Sequence, residues 1–148
     1  VAACEGCATG PRAPTAETAR FTGTWNVVSG LQRVSCPTLG VSASAPVAED
    51  VSWSEGAATD LEQPLPRSPC SIAADVRGNQ AVGRAGECSF PGDDRGTWAW
   101  VVESYTFTLS VDEAIAEERF SGAHAFAVDG KQESCAVERT ATYRRRGR

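Results

Sequence analysis

The sequence predicts an all-β domain of about eight antiparallel strands, folded as a small up-and-down barrel or a β-sandwich and stapled by disulfides. Three observations carry this reading. Val, Thr, Ser, Gly and aromatic residues crowd the segments that look ordered, apolar and polar residues alternate with a period of two between Gly-Asn and Asp-Gly turn dipeptides, and six cysteines are spread along the chain. A chain of 148 residues fits one domain and buries roughly 68–70% of its unfolded surface, enough for a core of its own.

From Cys4 to Arg20 the residues are small, polar and interrupted by Pro11 and Pro14, so residues 1–20 are expected to form a flexible leader. The β-domain is expected over residues 21–144. Its first strand runs from Phe21 to Val28, Ser29-Gly30 suggests a tight turn, and Leu31 to Cys36 returns as a hairpin partner. Pro37 to Pro46 has the composition of a loop, and Val47, Glu49, Val51 and Trp53 share one side of a third strand. Pro64, Pro66 and Pro69 lack amide donors, which argues against a central strand there.

Cys70, Ile72, Ala74 and Val76 then alternate with Ser71, Ala73, Asp75 and Arg77, Gly78-Asn79 turns the chain, and Gln80 to Gly86 comes back. Gly96 to Ser110 is the strongest β signal. It is apolar in both phases at its start, with Ala99, Val101, Tyr105, Phe107 and Leu109 in one and Trp98, Trp100 and Val102 in the other, so it is expected to bend and change its inward phase. Between Ala114 and Val128 helix propensity competes, but Gly122 and the alternation of Phe120, His124, Phe126 and Val128 favour a strand. Asp129-Gly130 signals the last hairpin, and Cys135, Val137, Arg139, Ala141 and Tyr143 alternate in the closing strand before a basic tail at 145–148.

The Gly78-Asn79 hairpin pairs positions whose numbers sum to about 157, which places Cys70 opposite Glu87; one bulge at Gly83 or Gly86 brings Cys88 across from Cys70 at bridging distance. Cys36 with Cys135 follows by elimination. An ideal eight-stranded barrel puts these two toward opposite ends, so the pairing and the barrel compete. Cys4-Glu5-Gly6-Cys7 has CxxC spacing, but no second ligand pair and no thioredoxin-like frame accompanies it, so neither a metal centre nor a redox motif is expected.

So many cysteines point to an oxidising, extracytoplasmic location. The net charge of −5 excludes a general nucleic-acid binder, and no run of eighteen apolar residues spans a membrane.

Two short motifs carry resemblances. Val1-Ala2-Ala3-Cys4 resembles the lipobox of bacterial lipoproteins, which implies a lipidated Cys4, an anchored envelope protein and a tether after it; without lipidation, Cys4 and Cys7 form a local disulfide. Gly23-Thr24-Trp25, at the start of the first strand, resembles the GxW motif of lipocalin-like (calycin) barrels, and Gly96-Thr97-Trp98 repeats it. That resemblance implies a tryptophan at the closed end of a barrel beneath an arginine of the final strand, a part open to Arg139 or Arg144.

A barrel of eight strands leaves room for one small ligand. Its candidate lining is Trp25, Trp53, Trp100, Tyr105, Phe120, His124 and Phe126, with Trp98 and Phe107 in the same aromatic set. His124 is the single histidine, which excludes a multi-histidine metal site, and no nucleophile elbow, Walker loop or HExxH helix accompanies it. The acid pairs Asp93-Asp94, Asp112-Glu113 and Glu117-Glu118 read as solvated charges; on a strand, Glu117 and Glu118 point to opposite faces. No cofactor is expected. The expected function is a non-enzymatic, extracytoplasmic binding module that carries or senses a small apolar ligand or contacts an envelope protein. The alternative is a structural or protein-binding (inhibitor) β-sandwich acting through the loops at Pro37 to Pro46 and Pro64 to Pro69. A hydrolase resting on His124 is a third reading.

Overall fold

The structure, a computed structural model, describes residues 13–92, 96–128 and 130–147. Cys4, Cys7, Asp93, Asp94 and Asp129, and with them the lipidation site and the local disulfide, lie outside the described residues. The chain is all-β. Its strands are β1 (Gly23–Cys36), β2 (Val41–Pro46), β3 (Val51–Glu55), β4 (Leu61–Pro64), β5 (Ser71–Arg77), β6 (Gln80–Gly83), β7 (Gly86–Pro91), β8 (Thr97–Leu109), β9 (Ile115–Val128) and β10 (Lys131–Arg145). A single helical turn, α1 (Ala16–Ala19), precedes them.

The strands form one antiparallel sheet that returns on itself, because β1 pairs with β10 as well as with β3. Eight strands close the ring: β1, β3, β4, β5, β6, β8, β9 and β10. The remaining two extend it, since β2 continues alongside β1 where β3 has stopped and β7 continues alongside β8 where β6 has stopped. The ring therefore has a short side of four- to seven-residue strands and a tall side in which β1, β8, β9 and β10 run 13 to 15 residues.

Three of the sequence expectations are corrected here. Ser29-Gly30 is no turn: β1 continues through it to Cys36, with a register shift between Val27 and Ser29. Gly30 serves close approach to β10, because a Cβ there would fall 2.7 Å from that of Ala141. Residues 37–46 are a 3-10 turn followed by β2, an edge strand exposed along its whole length, so it has no buried face to show in the sequence. The Pro-rich stretch begins with a paired strand, β4, in which Leu61 and Gln63 are buried; Pro64 is tolerated as its last residue.

Other expectations hold. Gly78, at φ +60°, and Asn79 make the hairpin, and its pairs Arg77 with Gln80 through Ala74 with Gly83 all sum to 157. Cys70 is bridged to Cys88 as expected, but not through a bulged ladder: the β5 and β6 pairing ends at Ala74 and Gly83, and the chain resumes as β7, paired with β8. β8 shifts register between Val102 and Ser104, and its inward phase changes from Trp98, Trp100 and Val102 to Tyr105, Phe107 and Leu109. β9 is a strand throughout.

Cys36 is bridged to Cys135. The conflict with a closed sheet disappears once β1 is unbroken: Ser35 faces Ala136 across the β1 and β10 seam, which carries the next pair to Cys36 and Cys135 at the far end of the tall side.

The boundaries also move. Thr15 caps α1 in a reciprocal capping box with Thr18, whose hydroxyl also reaches Glu55. Arg20 pairs with Glu113 at 2.7 Å and donates to the Gly78 carbonyl. The segment from Thr15 to Arg20 thus straps three turns at one end of the ring and belongs to the domain rather than to a leader. Arg145, assigned to the tail, is the last residue of β10.

The core fills this strapped end. Trp25 and Phe107 meet edge to face with ring centroids 5.2 Å apart, Trp53 packs on Tyr105 and Phe107, and Leu61, Ile72 and Tyr143 complete the layer. Trp25 donates its indole N–H to the Phe21 carbonyl at 2.8 Å. Arg145 lies over the Trp25 ring, 4.4 Å from its centroid, and donates to the Thr22 and Glu113 carbonyls. The arginine of the final strand that covers this tryptophan is Arg145, neither Arg139 nor Arg144.

Candidate functional site

Above the core the ring loses its short side. β3 to β6 stop, the tall side continues, and the connections at 46–51 and 64–71 lean across the gap. The result is a cavity of about 830 Å³, within the range of small-molecule sites.

One wall is an aromatic ladder on the inner faces of β8 and β9. Register sets Trp98 against Phe126 and Trp100 against His124. The rings then stack along the sheet: Phe126 to Trp98 at 5.5 Å, Trp98 to His124 at 4.9 Å, His124 to Trp100 at 4.6 Å, and Trp100 edge-on to Phe120 at 6.3 Å. Phe90 of β7 and Leu65 with the prolines around it stand on other sides. The Cys70–Cys88 bridge ties the 64–71 connection to β7, so it fixes one side of the mouth.

The floor is polar. Glu118 is 1% exposed and accepts three hydrogen bonds: from Arg139 Nε at 2.6 Å, from the Tyr105 hydroxyl at 2.6 Å and from the Tyr143 hydroxyl at 3.2 Å. Gln63 donates to the Tyr105 oxygen at 2.9 Å. Burial first, and then the Glu118 charge, pushes both phenols well above their ordinary pKa, so they stay protonated donors. Burial works to lower the pKa of Arg139, but the polar groups around it, the Glu118 carboxylate first among them, together raise it, so the ion pair persists beneath the cavity.

Of the seven candidate ligand residues, Trp100, Phe120 and His124 line the cavity and Phe126 backs the ladder through Trp98. Trp25, Trp53 and Tyr105 do not face it. They are at most 2% exposed and sealed in the layer beneath, because large aromatics complete the core before they leave room for a ligand. The residues missed were Gln63, Glu118 and Tyr143. Glu117 and Glu118 do point to opposite faces, yet Glu118 is a buried ion-pair partner and not a solvated charge. The sequence signal was present: Glu118 shares the inward phase of Ala116 and Phe120, and Arg139 that of Val137 and Ala141 on the neighbouring strand.

His124 makes ring contacts only, and among the described residues no carboxylate orients it, so no acid–base pair is assembled there. Among the described residues no group of three or more His, Cys, Asp or Glu could hold a metal ion, and no helix is long and apolar enough to cross a membrane.

Burial lowers the His124 pKa below its ordinary value. The unfolded chain takes up this proton near pH 6.5 while the folded chain favours neutral imidazole, so the stability involved is fully present above about pH 6.5 and falls as pH drops through that value. Urea midpoints at about pH 7.5 and about pH 5.5 should differ in the native protein and draw together in His124→Gln; an unchanged gap would rule out this origin. Asp50 and Asp75, held low respectively by hydrogen bonds from the Val27 amide and the Arg84 guanidinium, lose their contributions only in the carboxylate range near pH 4, outside that window.

No family model matches the chain, and neither a curated protein nor a solved structure matches it.

Proposed function

We propose that the protein is a non-enzymatic binding module that holds one small, largely apolar ligand in the cavity between the aromatic ladder and the loops at 46–51 and 64–71. The single observation that carries this is a pocket of about 830 Å³ with a stacked aromatic wall and a polar floor built on the buried Glu118 and Arg139 pair. A protein acting only through exposed loops has no use for such a space. The 64–71 connection is also bound to β7 by a disulfide as part of the mouth.

Two disulfides are compatible with an extracytoplasmic location. Together with the lipobox-like Val1-Ala2-Ala3-Cys4, they support an envelope or secreted module, anchored through Cys4 if that residue is lipidated. The Trp25 and Arg145 arrangement supports the calycin-like reading of the ring.

N-phenyl-1-naphthylamine, a neutral dye that brightens in apolar surroundings, tests the cavity. It should bind the native protein with quenching of tryptophan emission, and Trp100→Ala should weaken binding about tenfold through loss of ring contact, roughly 1.4 kcal/mol. Binding left unchanged by Trp100→Ala would place the dye elsewhere and remove the reading.

A further inference from the structure

We infer that the ligand is an uncharged aromatic molecule carrying a carbonyl oxygen, with that oxygen directed at the Arg139 guanidinium. This rests on the reading of the cavity as a ligand site and names the chemistry that site selects.

The acceptor follows from counting donors at the floor. The hydroxyls of Tyr105 and Tyr143 are spent on Glu118, and Gln63 donates to Tyr105. Arg139 also gives its Nε–H to Glu118, yet a guanidinium has five N–H donors, and those on its two Nη atoms bond to no described residue. Arg139 lines the cavity, its side chain 14% exposed, with its guanidinium carbon 5.4 Å from the Phe120 ring centroid. The inner end of the cavity is thus supplied with fixed donors that seek an acceptor.

The absence of ligand charge follows from the ions around the space. Glu118 already balances Arg139, so a ligand carboxylate would leave the floor with an unbalanced negative charge beside two largely buried side chains. At the mouth, Glu49 and Asp50 oppose an anion, and Arg67, the remaining cation of the lining, is solvent-exposed and paired with Glu49. A cation would meet Arg139 at the inner end. A neutral carbonyl takes the hydrogen bonds and disturbs neither balance.

The aromatic ring follows from the ladder. Trp100 and His124 stack with 16° between their planes and Trp98 lies tilted at 32° on His124, so these three rings cover one another's facing surfaces. Their edges carry partial positive charge and prefer the electron-rich face of another ring over a saturated chain.

Three naphthalenes of similar size separate the possibilities: 2-acetylnaphthalene, 2-ethylnaphthalene and 2-naphthoate, titrated by tryptophan quenching into the native protein and into Glu118→Gln/Arg139→Met. That double substitution removes both charges together and keeps the volume. In the native protein the ketone should bind about tenfold tighter than either other probe, the effect of one hydrogen bond from a charged donor. In the double variant the ketone and the hydrocarbon should bind alike. If that variant does not fold, Arg139→Lys, which keeps the charge but loses the planar donors, should narrow the same ratio. Equal binding of ketone and hydrocarbon to the native protein, or tightest binding of naphthoate, would overturn the carbonyl inference and leave the cavity reading standing. Failure of all three probes to bind would overturn both.

Discussion

Glu118→Ala is expected to destabilise the protein by about 3–5 kcal/mol, the usual result of breaking a buried ion pair from one side. The substitution leaves the Arg139 charge in place without its counter-ion and takes the acceptor from two buried tyrosine hydroxyls at once. Against a total stability on the order of 5–15 kcal/mol this is a large fraction. The contrast with Glu118→Gln/Arg139→Met is the informative part, because removing both charges restores electrical balance and should recover most of the loss. Equilibrium urea denaturation of the native, single and double variants measures it. A loss below about 1 kcal/mol in Glu118→Ala would mean that water reaches the floor and that the cluster does not seal the cavity from the core. The same phenols set an alkaline limit. Their folded pKa values lie above the unfolded value near 10, so the folded state holds these protons more tightly and loses stability as pH rises past about 10.

What could be read in the sequence depended on whether each strand had a buried face and a local turn. β5, β6, β9 and β10 have inward phases, and the Gly78-Asn79 dipeptide sets its own register, so strand identity and the Cys70–Cys88 bridge followed from local spacing. β2 has no buried face, and β4 is four residues closed by a proline, so both were hidden in loop-like composition. Gly30 was misread because a glycine needed for close backbone approach and a glycine needed for a turn look the same in one sequence. That single misreading folded β1 in half and set the Cys36–Cys135 pairing against the closed sheet. At the site, the aromatic alternation announced Trp100, Phe120 and His124, but which aromatics line a cavity and which fill the core depends on where β3 to β6 end, a tertiary fact. The floor had a legible clue in two inward-phased charges on strands joined by one hairpin. It was missed because a glutamate beside another glutamate reads first as surface.

Replacing Cys36 and Cys135 by serine is expected to cost about 4–5 kcal/mol, more than the roughly 3 kcal/mol expected for the Cys70 and Cys88 pair. The bridges close stretches of 99 and 18 residues, and the entropy that a cross-link removes from the unfolded chain grows with the logarithm of the loop. The larger loss has a local site. Cys36 and Cys135 sit where β1 and β10 project beyond the closed ring, with only β2 beyond β1 at that level, so the bridge clamps the seam at the end of its ladder. The functional consequences should run in the opposite order. Cys70 and Cys88 hold the mouth, so their loss should weaken dye binding at a temperature where the domain remains folded, whereas loss of the longer bridge should lower stability first and change affinity only as the chain unfolds. Urea denaturation of both double-serine variants, with dye titration well below each midpoint, separates the two effects. If the shorter bridge proved the more stabilising one, chain entropy would not be what ranks them. If its loss left dye affinity untouched, the 64–71 connection would have no part in shaping the cavity.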